Sequence, residues 1–227
     1  MSALFSLDGV MFLARWVHFL AGVTWIGLLY YFNFVQGSWF KEAEGSVKTA
    51  AVQQLVPRAL WWFRWGAMFT FLSGLTIILG KSSQAGGMAA AFGGAWGAFI
   101  FTGALLATIM FLNVWLVIWP NQKIVIADAK GEKNPAAGAA GGKALLASRT
   151  NTLFSIPMLF FMGAASHLQQ GVTLTTGVLG AVVAITAVLE GNALFGKLGA
   201  LTTVKGVITA GFALTAALYA AVSVLGG

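Results

Sequence analysis

The chain has 227 residues, of which 59% are hydrophobic and 8% are charged, and its mean hydropathy is +0.85. A water-soluble globular protein needs more polar surface than this composition supplies, so lipid must be the solvent for most of the molecule. The formal charge of +7 does not indicate a nucleic-acid-binding protein, because the basic residues occur in short stretches between apolar segments. The absence of cysteine excludes disulfides, thiolate-bound metals, Fe–S clusters and covalently attached c-type haem.

Six apolar segments are each long enough to cross about 30 Å of hydrocarbon. In chain order they lie at about 10–36, 57–80, 92–119, 151–169, 172–195 and 202–225. We therefore predict an all-α polytopic membrane protein, a bundle of six transmembrane helices that forms a single domain over residues 1–227. The first segment lacks the basic start and the small-residue cleavage site of a signal peptide, so we expect it to remain in the mature protein.

The connections between these segments differ in character. A short amphipathic stretch follows the first segment, and we expect the next helix to begin near Pro57. The longest connection, residues 120–150, contains Pro135 and a run of Ala and Gly at 136–142 that has little side-chain surface to bury. We expect this connection to be flexible and exposed to the cytoplasm, and the last two segments, rich in small residues, to be packing helices.

The distribution of basic residues predicts the orientation in the membrane. Lys and Arg are concentrated after the first, third and fifth segments, and only Arg15 and Lys81 lie on the other side. By the positive-inside rule the basic connections are cytoplasmic. We therefore expect both termini to lie outside, in a bacterial-type inner membrane.

The two histidines, His18 and His167, both fall in the outer half of predicted spans. An ionisable side chain at membrane depth is a candidate functional residue, because it costs free energy there unless it has a partner. Gly22 and Gly163 lie one turn toward the membrane centre from His18 and His167, and Arg15 lies one turn outward from His18. This pattern predicts a b-type haem with both histidines as iron ligands, the glycines beside the porphyrin, and Arg15 near its propionates.

A purely structural interpretation accounts for the same residues. Pairs of small residues are common wherever membrane helices touch, a histidine can hydrogen-bond across such a contact, and Arg15 can reach lipid phosphates. Met158 and Met162, one turn apart near His167, are candidates for a soft copper site, although methionine is more often a core residue.

Other polar residues in the spans suggest further roles. Glu190 could relay protons or bind a cation in a small transporter, although an interfacial acid is more common. We expect Asn33 and Asn113 to donate hydrogen bonds between helices. The sequence contains no phosphate-binding loop, nucleophile–base pair or paired carboxylates, so it gives no support to hydrolysis or phosphoryl transfer.

Several stretches of the chain resemble the N-terminal membrane domain of the bacterial membrane-bound urate oxidase family. The matching stretches lie within Arg15–Gly27, Trp62–Trp65, Asn113–Lys123 and Asn151–His167. The resemblance implies a membrane oxidoreductase module, which in the family is joined to a C-terminal cytochrome c and passes electrons from urate toward the respiratory chain. It also implies that the two histidines of these motifs correspond to His18 and His167.

The chain departs from that family pattern in three respects. It has no cytochrome c portion, it is shorter than the usual membrane domain, and Thr150 occupies a position where the family motif leads us to expect a histidine. We therefore expect at most one bis-histidine site, on the outer side, and no oxidation of urate by this chain alone.

Two hypotheses of function follow. In the first, the chain is an electron-transfer subunit that binds haem b and exchanges electrons with a quinol or an external cytochrome c. In the second, it is a non-catalytic accessory subunit of a larger respiratory or energy-converting complex, and its apolar faces contact lipids and other membrane subunits. The residues alone do not decide whether the chain is itself an enzyme.

The orientation can be tested with single cysteines introduced into this cysteine-free chain. Cysteines at Ser46 and Gly138 should resist a membrane-impermeant thiol reagent applied to intact cells, because the positive-inside rule places both in the cytoplasm. Cysteines at Ser82 and Gln170 should react. Labelling at Gly138 from outside would overturn the predicted orientation.

Overall fold

The computed structural model describes residues 2–168 and 171–227, and over these residues it contains helices and no strands, which confirms the all-α fold. The helices, in chain order, are α1 (Leu7–Tyr30), α2 (Gly37–Glu42), α3 (Gly45–Gln84), α4 (Met88–Phe92), α5 (Ala95–Leu112), α6 (Trp119–Ala127), α7 (Ala137–His167), α8 (Thr176–Phe195) and α9 (Val204–Gly226). The π-helical segments Tyr31–Gln36 and Asn113–Ile118 join α1 to α2 and α5 to α6 without a break.

Five continuous helical segments are long and apolar enough to cross a membrane. They are Leu7–Glu42, Gly45–Gln84, Ala95–Glu132, Thr176–Phe195 and Val204–Gly226. Large apolar side chains on their outer faces are exposed, as expected where lipid is the solvent. The chain is therefore a multi-pass membrane protein.

Helix α7 is 31 residues long, is not among these five segments and occupies the centre of the bundle. It contacts α1, α5, α6, α8 and α9. Its inner half carries a band of buried polar residues, namely Arg149, Thr150, Asn151, Thr152 and Ser155. Neighbouring helices supply hydrogen-bond partners to Asn151 and Ser155. Thr150 and Thr152 donate to carbonyl oxygens of α7 itself.

The prediction that residues 120–150 form a connection without helical structure is wrong, although residues 131–136 are exposed as predicted. Helix continues through α6 and a π-helical segment to Glu132, and α7 begins at Ala137. The small residues pack helices together instead of forming a linker: Ala140 and Ala144 are buried, and a Cβ atom on Gly141 would lie 3.6 Å from Cγ2 of Val125. A short break at residues 133–136 is all that separates the two helices.

Helix also resumes earlier than predicted after the first span. Helix α3 begins at Gly45, and Pro57 lies inside it. Proline has no N–H to donate, so the carbonyl of Gln53 loses its usual helical partner while the helix continues. The amphipathic stretch before Pro57 is therefore the first part of α3.

The backbones of α1 and α3 approach each other closely at Gly66. A Cβ atom on this residue would lie 3.1 Å from the backbone nitrogen of Trp25 and 3.3 Å from the carbonyl oxygen of Ala21. The two backbones can meet here because glycine has no side chain. This contact fixes the face of α1 that carries Trp25 and, two turns outward, His18.

Asparagine side chains connect the helices in the inner half of the bundle, as predicted. Asn33 donates to the hydroxyl of Ser148 at 2.8 Å. Asn113 donates to Oδ1 of Asn151 at 3.0 Å and to a carboxylate oxygen of Glu190 at 3.0 Å. Glu190 is therefore tied into the packing of α5, α7 and α8.

The exposure of individual side chains refines the labelling experiment. Ser46 and Gly138 are exposed, whereas Ser82 is buried and its hydroxyl donates to the sulfur of Met88. Gln170 lies outside the described residues. Ser83 and Gly171 are exposed and are the better positions for the cysteines on the opposite side.

Substitution of Gly66 tests the contact between α1 and α3. Gly66→Leu should lower the free energy of unfolding by about 1–3 kcal/mol, because the new side chain meets the backbone of α1, which cannot move aside as a side chain could. The measurement is a denaturation titration of the purified protein in mixed micelles.

Gly27→Leu is the matched control, since Gly27 lies on α1 and a Cβ atom there would meet nothing within 4 Å. This variant should keep nearly the stability of the unmodified protein. Equal stability of the Gly66 and Gly27 variants would show that the close approach is not a determinant of packing.

Candidate functional site

An open cleft of about 1000 Å³ lies between α1, α3, α5 and α7 at the end of the bundle where α3 and α7 end and α5 begins. This volume is at the upper end of the range of about 300–1,000 Å³ that is usual for ligand and cofactor sites. We call this space the outer cleft, after the side on which the predicted topology places it. Polar or titratable residues of its lining are Arg15, His18, Lys81, Ser166 and His167. The structure therefore brings the two histidines and Arg15, which are far apart in sequence, to one cleft.

His18 is half-buried on α1 and is held by Ser73 of α3. The Ser73 hydroxyl donates to the carbonyl oxygen of Phe69 at 2.6 Å, so its oxygen is free to accept from His18 Nδ1–H, which lies 3.1 Å away. In the tautomer in which Nδ1 donates to Ser73, the neutral imidazole carries no proton on Nε2. Nε2 is then available as a ligand, since a histidine that binds a metal usually donates its other ring N–H to a fixed acceptor.

The position of the imidazole also depends on Gly74. A Cβ atom on Gly74 would lie 3.2 Å from Cε1 of His18. The ring is thus packed directly against the backbone of α3, and Ser73 and Gly74 together restrict its orientation. The sequence did not predict a role for Ser73 or Gly74, because their contacts with His18 join two different helices, α3 and α1.

His167 is the last residue of α7 and is exposed. Gly163, one turn earlier, lines the same cleft, and a Cβ atom there would meet nothing within 4 Å. The side of α7 that faces the cleft is therefore open beside His167. Ala164, the residue after Gly163, is buried and belongs to the core of the bundle.

Arg15 and Lys81 give the cleft a positive charge. Both line it, and no Asp or Glu is among its described lining residues. In the predicted topology, Arg15 and Lys81 are the two basic residues on the outer side, and all the other Lys and Arg residues are on the cytoplasmic side. Their shared position suits a ligand with negatively charged groups at the outer surface.

Gly22 does not join the other predicted site residues. It is absent from the described lining of the cleft, and a Cβ atom on it would meet nothing within 4 Å. Its neighbours Ala21 and Trp25 lie against α3 at Gly66. The space inward of His18 is bordered instead by Gly74 and by α5.

A second, apolar pocket of about 100 Å³ adjoins the cleft on its inner side. The two spaces share the lining residues His18, Ile77, Ile100 and Met162. The inner pocket is also lined by Trp25, Thr70, Phe71, Gly74, Leu75, Ile78, Ala104, Ala107, Thr108 and Met158. Met158 and Met162, the methionines considered for copper, thus border the inner pocket.

The donor atoms restrict the metal chemistry that is open to the cleft. Over the described residues, no three side chains of His, Cys, Asp or Glu come together as a metal site. Two histidines alone are a sparse set for a bare metal ion, but they are sufficient for haem iron, whose porphyrin supplies the other four ligands. The two histidines therefore fit a haem better than a zinc ion, whereas the copper alternative would draw on His18, Met158 and Met162, which line the inner pocket together.

The family model described as "Urate oxidase N-terminal" matches residues 83–222, which is more than half of the chain. The chain belongs to the urate oxidase N-terminal family. The matched region contains His167 and Gly163, whereas His18 and Arg15 lie before it. No curated protein and no solved structure gave a significant match.

Thr150, where the family resemblance led us to expect a histidine, lies within the matched region. It is buried, and its hydroxyl donates to the carbonyl oxygen of Leu146, one turn earlier in the same helix, at 3.1 Å. A threonine that is satisfied in this way offers no metal ligand to the interior. The two histidines of the sequence, His18 and His167, both line the outer cleft.

Proposed function

We propose that the chain is a membrane-embedded electron-transfer subunit that binds one b-type haem in the outer cleft, with His18 and His167 as the axial ligands. The observation that carries the proposal is the shared cleft: the only two histidines of the sequence line one space of sufficient volume. The hydrogen bond between His18 and Ser73 supports it further, because it leaves Nε2 as the ligand atom.

The remaining lining residues have roles that suit this ligand. Arg15 and Lys81 would bind the two propionates and stabilise their negative charge. Gly163 would leave room beside the porphyrin, and the apolar side chains of Ile77 and Ile100 would exclude water from its inner edge. When bound, a bis-histidine haem supplies reversible one-electron transfer.

The proposed topology has six spans, with α7 as the sixth in addition to the five apolar segments. Its burial within the bundle accounts for its lower hydropathy, so its composition does not argue against a span. The basic residues after the first, third and fifth spans support a cytoplasmic location for those connections. The cleft then opens to the outside of the inner membrane, where an external cytochrome c could exchange electrons near His167.

The proposal can be tested by replacing each histidine. The protein isolated gently from its native membrane should contain one haem per chain in a pyridine haemochrome assay, with a low-spin spectrum. His18→Ala or His167→Ala should abolish that spectrum by removing an axial ligand. Arg15→Gln should retain the haem and lower its midpoint potential, because a nearby positive charge favours the reduced form.

The outcome that contradicts the proposal is the absence of stoichiometric haem from the unmodified protein. The accessory-subunit hypothesis predicts that result, with the family scaffold serving only to bind partners. Retention of the low-spin spectrum in both histidine variants would equally exclude His18 and His167 as the ligands.

Ser73 is proposed as a positioning residue for His18, and its removal gives a separate prediction. Ser73→Ala should weaken haem binding by about tenfold or more, since loss of the partner of a ligating histidine typically costs 10–100-fold in affinity. The haem remaining bound should show an altered midpoint potential, measured by redox titration, which a merely structural role for the hydroxyl would not produce.

Thr76→Ala is the matched control for Ser73→Ala. Thr76 also lies on α3, and its hydroxyl donates to the carbonyl oxygen of Leu72, at 3.0 Å, within the same helix. This control should leave both the haem content and the potential unchanged. Equal values for the two variants would remove Ser73 from the proposed site.

A further inference from the structure

Arg64 lies far from the outer cleft, near the opposite interface of the membrane. It shares the continuous helix α3 with Lys81, which lines the cleft. At 1.5 Å per residue, the two residues are roughly 25 Å apart along the helix axis, which is close to the thickness of the hydrocarbon layer. Trp115 and Trp119 contact Arg64 from the neighbouring helical segment, and tryptophan is typical of a membrane interface.

Two positive charges lie beside the indole ring of Trp119. The guanidinium carbon of Arg64 is 3.9 Å from the ring centroid, and Nζ of Lys123 is 5.7 Å from it. Arg64 belongs to α3 and Lys123 to α6, so the packing of the two helices brings these cations together. Each contact with the ring is favourable, but the like charges repel each other unless an anion lies close to both.

No protein group neutralises these cations. Over the described residues, neither Arg64 nor Lys123 forms an ion pair with Asp or Glu, and neither side chain donates a hydrogen bond. Lys123 is exposed and Arg64 is partly exposed. Of the three guanidinium nitrogens of Arg64, only Nε is buried without a partner. The terminal N–H groups of Arg64 and the ammonium of Lys123 are therefore accessible and unused.

These donors select an oxyanion. The planar guanidinium of Arg64 can donate two parallel hydrogen bonds to a phosphate, and Lys123 supplies a second charge beside it. At a membrane interface, lipid head groups supply phosphate, and basic sites between membrane helices bind anionic head groups. A free phosphate ion would meet the same donors, so the surroundings of the cations decide between the two sources.

The surroundings of the cations suit a lipid. Leu116 and Leu112 lie about one and two turns before Trp119 on the apolar segment Ala95–Glu132, in the direction of the membrane centre. Both leucines are exposed. An acyl chain that is attached to the phosphate can cover these apolar side chains, which an inorganic ion cannot do.

We propose that Arg64, Lys123 and Trp119 form a binding site for the phosphate of an anionic phospholipid. The terminal N–H groups of Arg64 donate to the phosphate oxygens, and Lys123 provides the second positive charge. Trp119 holds both cations at the interface, and an acyl chain of the lipid lies against Leu116 and Leu112. The site requires neither haem nor the proposed transfer of electrons.

The test is binding of phosphatidylglycerol to the delipidated full-length chain in neutral detergent micelles, measured by native mass spectrometry. The first phosphatidylglycerol should bind at least about fivefold more tightly than phosphatidylcholine, whose choline group cancels the phosphate charge. Inorganic phosphate at the same concentration should not displace it, because the ion lacks the acyl chains.

Substitution of either cation should weaken this binding. Arg64→Gln and Lys123→Gln should each raise the dissociation constant for phosphatidylglycerol by about fivefold, the usual contribution of one basic residue near a membrane surface. Arg64→Lys should lose less, because it keeps the charge but not the paired donors. The affinity for phosphatidylcholine should be the same in all three variants, which shows that each remains folded.

Arg58→Gln and Lys130→Gln are the matched controls. Each removes one exposed positive charge, from α3 and from the segment Ala95–Glu132 respectively. Arg58 donates to the carbonyl oxygen of Gln54 within its own helix, and neither control residue contacts Trp119. Both controls should bind phosphatidylglycerol as the unmodified protein does.

Three results would overturn the inference. Equal affinity of the unmodified protein for the two lipids would show that no anionic head group is recognised. Equal affinity of the site variants and the control variants would assign the cluster to general interfacial anchoring. Displacement of phosphatidylglycerol by inorganic phosphate would refute the lipid as the ligand. Haem content should be the same in all of these variants, so the haem site and the lipid site can fail independently.

Discussion

The burial of polar residues on α7 is the constraint on which the rest of the structure depends. Asn151 cannot face lipid, because an unsatisfied amide in hydrocarbon costs several kcal/mol. Neighbouring helices supply the partners: Asn113 bonds to Asn151, and Asn33 bonds to Ser148. These contacts fix α1 and α5 around α7, and the outer ends of the same helices then form the cleft.

The outer half of the bundle combines close packing with open space. Gly66 lets α1 and α3 approach closely, and the hydrogen bond from His18 to Ser73 lies two turns farther along α3. In contrast, α3 and α5 meet through the stack of Phe71 on Phe111 and diverge beside it. The contact between α1 and α3 thus fixes the orientation of the His18 imidazole, and the contact between α3 and α5 leaves a pocket next to it. This arrangement can orient a ligand without filling the ligand's space.

Family membership rests on residues 83–222, whereas the cleft also needs α1, which precedes that region. His167 comes from the matched part and His18 from the part before it, so the candidate site spans both. Thr150 is buried within α7 and offers no ligand on the inner side. The chemistry proposed for this family member is accordingly confined to the outer half of the membrane.

The sequence by itself determined the membrane class, the helical fold and the two histidines as the unusual residues, because composition and apolar length alone decide whether a segment can be solvated by lipid. It could not determine that residues 137–150 belong to α7, since a run of Ala and Gly suits a linker and a tight helix contact equally well. Nor could it decide that Ser73 and Gly74 hold His18. It also could not show that Lys81 lines the same cleft as Arg15, or that Gly22 is not part of the described lining of that cleft. Those outcomes depend on the rotation and spacing of neighbouring helices, which only their packing in the tertiary structure decided.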